Sequence, residues 1–351
     1  MIFDLLVFIL VLAVLVIVHE LGHFLAAKKM GMYVEEFGFG FPPRIFSWKK
    51  KETRWSLNLI PLGGFVKIAG EEGERSNQQE EESEEEKAIP SERLFSAKPI
   101  WQRLIVLIGG VLMNFLLGWL LLSLVFLFGE EKSLLISAIE ANSPAEVVGL
   151  KAGDKILGFQ EPESFVNFIN QHKGKEVTLQ IEREGEKKEI KVVPRPQVNA
   201  GQGALGVSLV AGGVEKLPWY RSFWEGFISA VKIFAFVFIM LFKLIIGFFT
   251  GANLLNYLSG PVGIYQVTTQ AAGLGLIYLI NLVALISLNL AALNIFPFPA
   301  LDGGRIIFLI IEKIKGAPVS VRTQQIVNAI GFSLLILLVI IVSIKDIAKL
   351  I

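Results

Sequence analysis

The stretch LLVFILVLAVLVIVHELGHFLAA, residues 5–27, is an apolar run that carries two histidines and a glutamate near its end. Its length matches the ~20 apolar residues that an α-helix needs to cross a bilayer. Ionisable side chains inside such a helix cost about 2.5 to 3.5 kcal/mol each, and they are therefore rare without a function. We expect residues 1–30 to form a first transmembrane helix whose ionisable side chains have a function.

A cleaved secretory signal is the alternative interpretation of this N-terminal run. The residues before it contain Asp4 rather than Lys or Arg, and no small-x-small cleavage site follows it. Secretory signals carry a basic residue before the apolar run and a small-x-small cleavage site after it. We therefore favour a retained helix.

The composition of the whole chain points to the same class of protein. Of its 351 residues, 53% are hydrophobic and 19% are charged, and the mean hydropathy is +0.59. The net charge is only +1, and no basic run with interleaved aromatic residues occurs, which excludes nucleic acid as a partner. Because the chain has no cysteine, any metal ion must be bound by His, Asp or Glu.

Hydrophobic patterning predicts a polytopic α-helical membrane protein with four transmembrane helices, at residues 1–30, 99–129, 274–304 and 325–347. A fifth apolar segment, residues 223–249, has the length of a span but is interrupted by Lys232 and Lys243. We assign it to an amphipathic interfacial helix within residues 216–265, with five spans as the alternative.

Three regions between the spans differ in their sequence patterns. Residues 31–70 alternate glycine, aromatic and β-branched residues, which predicts membrane-associated β-hairpins. Residues 71–98 begin with an acidic, low-complexity run and are predicted to be a solvated cytoplasmic loop. Residues 132–211 have the pattern of a small β-rich domain with short helices, a type that commonly binds peptides by strand addition.

The charges beside the spans predict the orientation of the chain. Lysines and arginines follow the first span between residues 28 and 54, and others follow the third between residues 305 and 322. The positive-inside rule places both loops in the cytoplasm. With four spans, both termini and the 132–211 domain then face outward.

The spacing of the two histidines predicts a metal site. His19 and His23 are four residues apart, so both rings face the same side of a helix and can bind one zinc ion. Glu20 directly follows the first ligand and can take a proton from water that the metal activates. The alternative is that all three are ordinary polar residues where the helix meets the membrane surface.

A catalytic zinc generally needs a third protein ligand. The remaining histidine, His172, belongs to the β-rich 132–211 region, so the third ligand must be a carboxylate at membrane depth. The candidates in or beside apolar segments are Asp4, Glu130, Glu225, Asp302, Glu312 and Asp346. Asp302 is the best of them, because it follows a helix broken by Pro297 and Pro299 and precedes two glycines. Such an irregular backbone can line a water-filled cavity. The alternative is a turn residue after a helix end.

Several motifs together resemble one family. They are HELGH at 19–23, GFG at 38–40, PLGGFV at 61–66, SPA at 143–145, GLKAGDKI at 149–156, LGV at 205–207, SGPVG at 259–263 and NIFPFPALDG at 294–303. This constellation is similar to the site-2 protease family of intramembrane zinc metalloproteases, in its bacterial regulator-of-sigma-E protease branch. Residues 31–70 look like that branch's membrane-reentrant β region, and residues 132–211 look like its extracytoplasmic PDZ domain. Only one PDZ-like unit fits here, whereas some members carry two.

The resemblance implies the roles of individual residues. It makes His19, His23 and Asp302 the zinc ligands and Glu20 the catalytic base, and it brings Asn294 into contact with the substrate backbone. Asn294 as interhelical polar glue is the alternative. We extend the substrate-binding assignment to the residues that flank Asn294 and to the glycines of the β region: Pro297, Pro299, Gly38 and Gly40.

The implied activity is cleavage of single-pass membrane proteins within their transmembrane segments, after another protease has trimmed them. Anti-sigma factors and signal-peptide remnants are substrates of this type. The implied location is the bacterial inner membrane among its lipids, with the active site toward the cytoplasm and the PDZ-like domain outside. A metal carrier that uses the same ionisable residues is one rival hypothesis. A non-catalytic PDZ scaffold is another, and the intact HExxH and LDG motifs argue against it.

Overall fold

The computed structural model describes residues 2–71, 89–183, 186–198, 202–250 and 258–348. Most of the predicted acidic loop, residues 72–88, lies outside the described residues. Part of the predicted 216–265 segment, residues 251–257, lies outside them as well.

Helices dominate the described chain. In sequence order they are α1 (Ile2–Lys29), α2 (Ile100–Phe128), α3 (Pro144–Val147), α4 (Pro162–Gln171), α5 (Trp219–Thr250), α6 (Pro261–Leu274), α7 (Leu276–Ile295), α8 (Asp302–Lys315) and α9 (Val321–Ala348). The strands are β1 (Val34–Lys50), β2 (Thr53–Ile68), β3 (Glu130–Ile139), β4 (Lys155–Ile156), β5 (Val177–Arg183), β6 (Glu186–Val192) and β7 (Val207–Val214). A short 3₁₀ helix covers Ser91–Arg93.

Among the described residues, five helices are long and apolar enough to cross a membrane: α1, α2, α5, α7 and α9. Four of them occupy the ranges in which spans are predicted. The fifth, α5, is the segment assigned above to the membrane interface, with a span as the alternative. Together with the two β-sheets, these helices make the chain a polytopic α-helical membrane protein.

The chain divides into two compact units. The first comprises residues 1–119, 228–265 and 283–351. In it, α1 and α2 approach closely at Gly22 and Gly109, because a Cβ added to Gly22 would lie 2.1 Å from the Gly109 carbonyl oxygen. An ion pair between Arg103 of α2 and Glu312 of α8 is almost buried.

The part of α5 in this unit packs through a row of phenylalanines. The rings of Phe234 and Phe115 of α2 lie 5.7 Å apart, and those of Phe242 and Phe296, just beyond α7, lie 4.9 Å apart. Phe238 stands between them and contacts Phe296 as well. This row brings one face of α5 against α2 and the end of α7.

The first unit also contains a long antiparallel hairpin, β1 and β2. Residues 36–39 of β1 pair twice, once with residues 54–57 and once with residues 64–67 of β2. Strand β2 therefore folds back across β1, and its C-terminal part forms one edge of the sheet. The turn between the strands is joined to the end of α1, because Lys28 donates to Glu52 over 2.6 Å.

The second unit comprises residues 120–227 and 266–282. It contains a five-stranded sheet in the order β6-β5-β4-β3-β7. Helix α4 packs on this sheet through Phe165 and Ile169, which are buried with the inward-facing residues of β3 and β5. Strand β7 is an edge strand, paired on one side with β3.

Candidate metal centre

Helix α1 brings His19 and His23 together one turn apart. Their Nε2 atoms lie 3.1 Å apart and both side chains are largely buried. The Nδ1 atom of His23 is 2.8 Å from the Val106 carbonyl oxygen of α2. This contact keeps the His23 proton on Nδ1 and leaves Nε2 with a free lone pair that faces His19.

Asp302 reaches the same point from the other end of the sequence. Helix α7 ends at Ile295, and the prolines at 297 and 299 keep the next residues out of a helix until α8 begins at Asp302. The Asp302 Oδ2 atom lies 3.3 Å from His19 Nε2 and 3.4 Å from His23 Nε2. Among the described residues, these three form the one cluster of His, Cys, Asp and Glu side chains whose ligand atoms converge.

The geometry of the three side chains fits a zinc ion. Ligand atoms at about 2.0–2.1 Å from a tetrahedral zinc lie about 3.3 Å from one another. The three separations here are 3.1, 3.3 and 3.4 Å. Asp302 Oδ2 is also buried without a hydrogen-bond partner. Three lone pairs that face each other repel in the absence of a cation, so the donor set suits a metal ion.

Glu20 lies beside this cluster and is half-buried. The titratable groups that interact electrostatically with it include His23, His19, Asp302 and Arg305. Its Cγ atom is 3.0 Å from the position that a Cβ at Gly64 of β2 would occupy. A side chain at residue 64 would therefore push against Glu20, so the sheet edge runs directly beside this carboxylate.

Asn294 of α7 is the nearest of the predicted substrate-binding residues. Its Nδ2 atom lies 3.3 Å from His19 Nε2 and 3.5 Å from His19 Nδ1. The amide thus borders the side of the cluster where His19 presents its metal-facing nitrogen.

The other predicted substrate-binding residues do not touch the cluster in the same way. Pro299 packs on α9, where a Cβ at Gly331 would lie 2.4 Å from it, and Pro297 is exposed. Gly38 pairs with Phe65 across the sheet, and Gly40 has a φ of +81°. In the sheet, Gly64 of the PLGGFV motif at residues 61–66 lies against Glu20, the residue beside the cluster.

Helix α2 contributes to the centre in a way that the sequence analysis missed. A Cβ at Gly110 would lie 2.4 Å from His23 Nε2 and 2.6 Å from His19 Cε1. Glycine is thus the residue that leaves room for both imidazoles. The signal available in the sequence was the Gly109-Gly110 pair in an otherwise apolar span.

His172 is not a member of this cluster. It caps the C-terminus of α4, where its Nδ1 atom is 2.8 Å from the Phe168 carbonyl oxygen. It belongs to the second unit.

The chain is similar to known metalloproteases along nearly its whole length. The profile of Peptidase family M50 matches residues 7–338. The zinc metalloprotease RasP of Geobacillus kaustophilus is 31% identical, with 97% of each chain covered, and that of Shouchella clausii is 32% identical over 99% of each. The regulator of sigma-W protease RasP of Bacillus subtilis is 30% identical, with 98% of each chain covered. The chain therefore belongs to peptidase family M50, the site-2 protease family, and is a zinc-dependent metalloendopeptidase.

Proposed function

We propose that this protease hydrolyses peptide bonds within, or at the edge of, transmembrane segments of single-pass membrane proteins. His19, His23 and Asp302 hold the zinc ion, and Glu20 is the general base. The observation that carries this proposal is that three ligand atoms converge beside α1, an apolar helix that is long enough to span a membrane. Soluble substrates do not require a site at that depth.

The chemistry at the centre divides among a few groups. Zinc, when bound by the three ligands, polarises a carbonyl group and lowers the pKa of water to about 7. Glu20 takes the proton of the attacking water and delivers it to the leaving nitrogen. The Asn294 amide, 3.3 Å from His19 Nε2, donates a hydrogen bond to the developing oxyanion.

A substrate must be extended before this chemistry can reach it, because a helical peptide bond is shielded by its own hydrogen bonds. The C-terminal part of β2 offers a sheet edge for that purpose. It pairs with β1 on one side, and no described strand pairs with its other side. A substrate strand added there lies beside Glu20, because Gly64 of this edge abuts the Glu20 side chain.

The remaining predicted residues support this arrangement. Gly38 belongs to the strand that holds the edge in register, and it pairs with Phe65. Gly40 permits the bend in the same strand. Pro297 and Pro299 keep the chain before Asp302 irregular, so that a substrate backbone can approach the centre.

The 132–211 region acts as a PDZ-like domain that selects substrates. Its edge strand β7 contacts α4, and no described strand pairs with the outer side of β7. A peptide can add to a sheet at such an edge. The domain performs no chemistry. It admits membrane proteins whose outer parts another protease has already removed.

The loop charges support a location in the bacterial inner membrane, in contact with its lipids. The basic loop after α1 is cytoplasmic, which puts the metal centre toward the cytoplasmic side and the PDZ-like domain outside. The relatives described above all come from bacteria. The name of the Bacillus subtilis relative points to a regulatory protease, so regulated proteolysis of an anti-sigma factor is a fitting role.

A cleavage assay tests this function. The purified protein is reconstituted with a tagged single-span substrate, and the product ends are located by mass spectrometry. The wild type should cut inside or at the edge of the span. Neither Glu20→Gln nor a chelator-treated sample should cut, and zinc should restore the latter. Cleavage only outside the span, or cleavage by Glu20→Gln, would contradict the proposal.

A further inference from the structure

Asn114 of α2 is a polar residue in the middle of an apolar transmembrane helix, and its side chain is fully buried. Its Nδ2 atom lies 3.4 Å from His19 Nδ1, and its Oδ1 atom is buried without a hydrogen-bond partner. A buried amide oxygen without a partner is destabilising, because it has lost its hydrogen bonds to water. The contact with His19 is therefore the place to look for its role.

The tautomer of His19 determines whether its Nδ1 atom donates a hydrogen bond to Asn114 or accepts one from it. His19 faces the other two ligand atoms through Nε2, so a metal ion at this site would be bound through Nε2. A neutral imidazole that binds a metal through Nε2 carries its proton on Nδ1, which makes Nδ1 a donor. The group opposite Nδ1 must then be an acceptor.

The Asn114 side chain can supply that acceptor. Its oxygen and nitrogen exchange places when the amide plane turns by 180°, since the two ends have nearly the same shape. After this turn, Oδ1 accepts the proton of His19 Nδ1 over the same ~3.4 Å. One rotation therefore gives a partner both to the orphan oxygen and to the histidine.

The same helix already performs this task for the other histidine. The Val106 carbonyl oxygen lies 2.8 Å from His23 Nδ1. Residues 106, 110 and 114 are spaced by four and share one face of α2. Val106 thus faces His23, Gly110 leaves space for both rings, and Asn114 faces His19.

We propose that Asn114 is a positioning residue that accepts a hydrogen bond from His19 Nδ1–H and thereby fixes the tautomer and ring orientation of this zinc ligand. Such partners of metal-binding histidines typically change metal affinity by 10–100-fold. The inference rests on the proposed function only in taking His19 as a ligand. Asn294 is the competing partner, but it is less buried and lies closer to Nε2 than to Nδ1.

The test measures zinc affinity rather than activity. Purified wild type and variants in detergent are titrated with zinc against a chelator of known affinity. Asn114→Leu and Asn114→Ala both remove the acceptor, and should bind zinc 10–100-fold more weakly. Asn114→Asp keeps an acceptor and should bind about as tightly as the wild type. The matched control is Asn289→Leu, since Asn289 donates to its own helix at Leu285 and not to the metal centre.

Two further measurements separate positioning from packing. The visible absorption spectrum of the Co²⁺-substituted protein should change in Asn114→Leu and be restored in Asn114→Asp. Helix content and gel-filtration elution should be equal in all variants, and Asn114→Ala, which adds no volume, carries the comparison if the leucine does not pack. Asn294→Leu should keep its zinc affinity.

The outcomes distinguish this inference from the proposed function. If the wild type binds zinc and His19→Ala does not, while both acceptor-free variants bind as tightly as the wild type, Asn114 has no positioning role. Equal losses in Asn114→Asp and Asn114→Leu would also overturn the inference, because shape alone would then explain them. If His19→Ala keeps full zinc affinity, the proposed ligand set itself is wrong.

Discussion

Glu20 lies beside the ligand cluster but is not one of its three members, so its role can be separated from metal binding. Glu20→Gln keeps the shape of the side chain but cannot take a proton. We expect the cleavage rate to fall by about 10²–10⁴-fold, the usual contribution of general acid–base catalysis. Zinc stoichiometry should stay the same as in the wild type, measured by elemental analysis. Loss of zinc together with activity would make Glu20 a ligand instead of a base.

Gly110 makes a second prediction at the residue scale. A Cβ there would lie 2.4 Å from His23 Nε2, so Gly110→Ala should displace the histidines and lower zinc occupancy by at least tenfold. The matched control is Gly273→Ala in α6, where an added Cβ meets nothing within 4 Å. Elemental analysis of both purified variants checks this. Full occupancy in Gly110→Ala would mean that α2 lies farther from the centre.

Some of these residues could be predicted from the sequence, and others could not. His19, Glu20 and His23 could be predicted because their spacing is local to one helix, and Asp302 because two prolines break the helix before it. The contribution of α2 could not be predicted in this way. The backbone carbonyl of Val106 leaves no mark on the sequence, and the Gly109-Gly110 pair does not reveal that α2 packs against the two histidines.

At the scale of elements, the turn of the β1–β2 hairpin is fixed by charge. Glu52 accepts hydrogen bonds from Lys28 of α1 and from both terminal nitrogens of Arg93. The Arg93 hydrogen bonds, with Lys28 adding to them, lower the pKa of Glu52 to about 2. The cluster thus joins the hairpin to the end of α1 and to the 3₁₀ helix.

This cluster predicts a pH-dependent stability. Because the pKa of Glu52 is lowered in the folded state, its contribution to the free energy of unfolding is complete above its ordinary pKa of about 4.5 and is lost as the pH falls toward 2. Glu52→Gln should lower stability by about 1 kcal/mol at pH 7, since the pair is partly exposed. The difference from the wild type should shrink between pH 5 and pH 3, as measured by thermal unfolding in detergent at about one-unit pH steps.

The control for this prediction is Glu92→Gln, which removes the same charge from an exposed residue next to Arg93. It should change stability by less than about 0.5 kcal/mol at every pH. A difference between Glu52→Gln and the wild type that grows as the pH falls would contradict the assignment.

Elements differed in how far the sequence determined them. Long apolar runs predicted where helices form, because hydropathy is a property of the segment alone. The role of α5 stayed ambiguous, since Lys232 and Lys243 are exposed on it while its phenylalanines pack on α2 and α7. The double pairing of residues 36–39 could not be predicted from the sequence either, because the fold-back of β2 depends on the register between distant residues.

At the scale of the whole molecule, the proposed orientation can be tested with single cysteines, since the chain has none of its own. Lys173→Cys in the second unit, the proposed PDZ-like domain, should react with a membrane-impermeant maleimide in right-side-out vesicles. Lys50→Cys at the end of β1 should react only after the vesicles are opened. The reason is the basic loop after α1, which the positive-inside rule keeps in the cytoplasm. If Lys50→Cys were labelled as strongly in sealed vesicles as in opened ones, the proposed orientation would be wrong.

The central claim is that one zinc ion is held within the membrane by His19, His23 and Asp302. X-ray absorption at the zinc edge of the purified protein tests it most directly, with the wild type compared with Asp302→Ala. We predict one zinc per chain with two imidazole ligands and oxygen ligands at about 2.0–2.1 Å, and a loss of zinc in Asp302→Ala. An unchanged zinc content and spectrum in Asp302→Ala would contradict the claim.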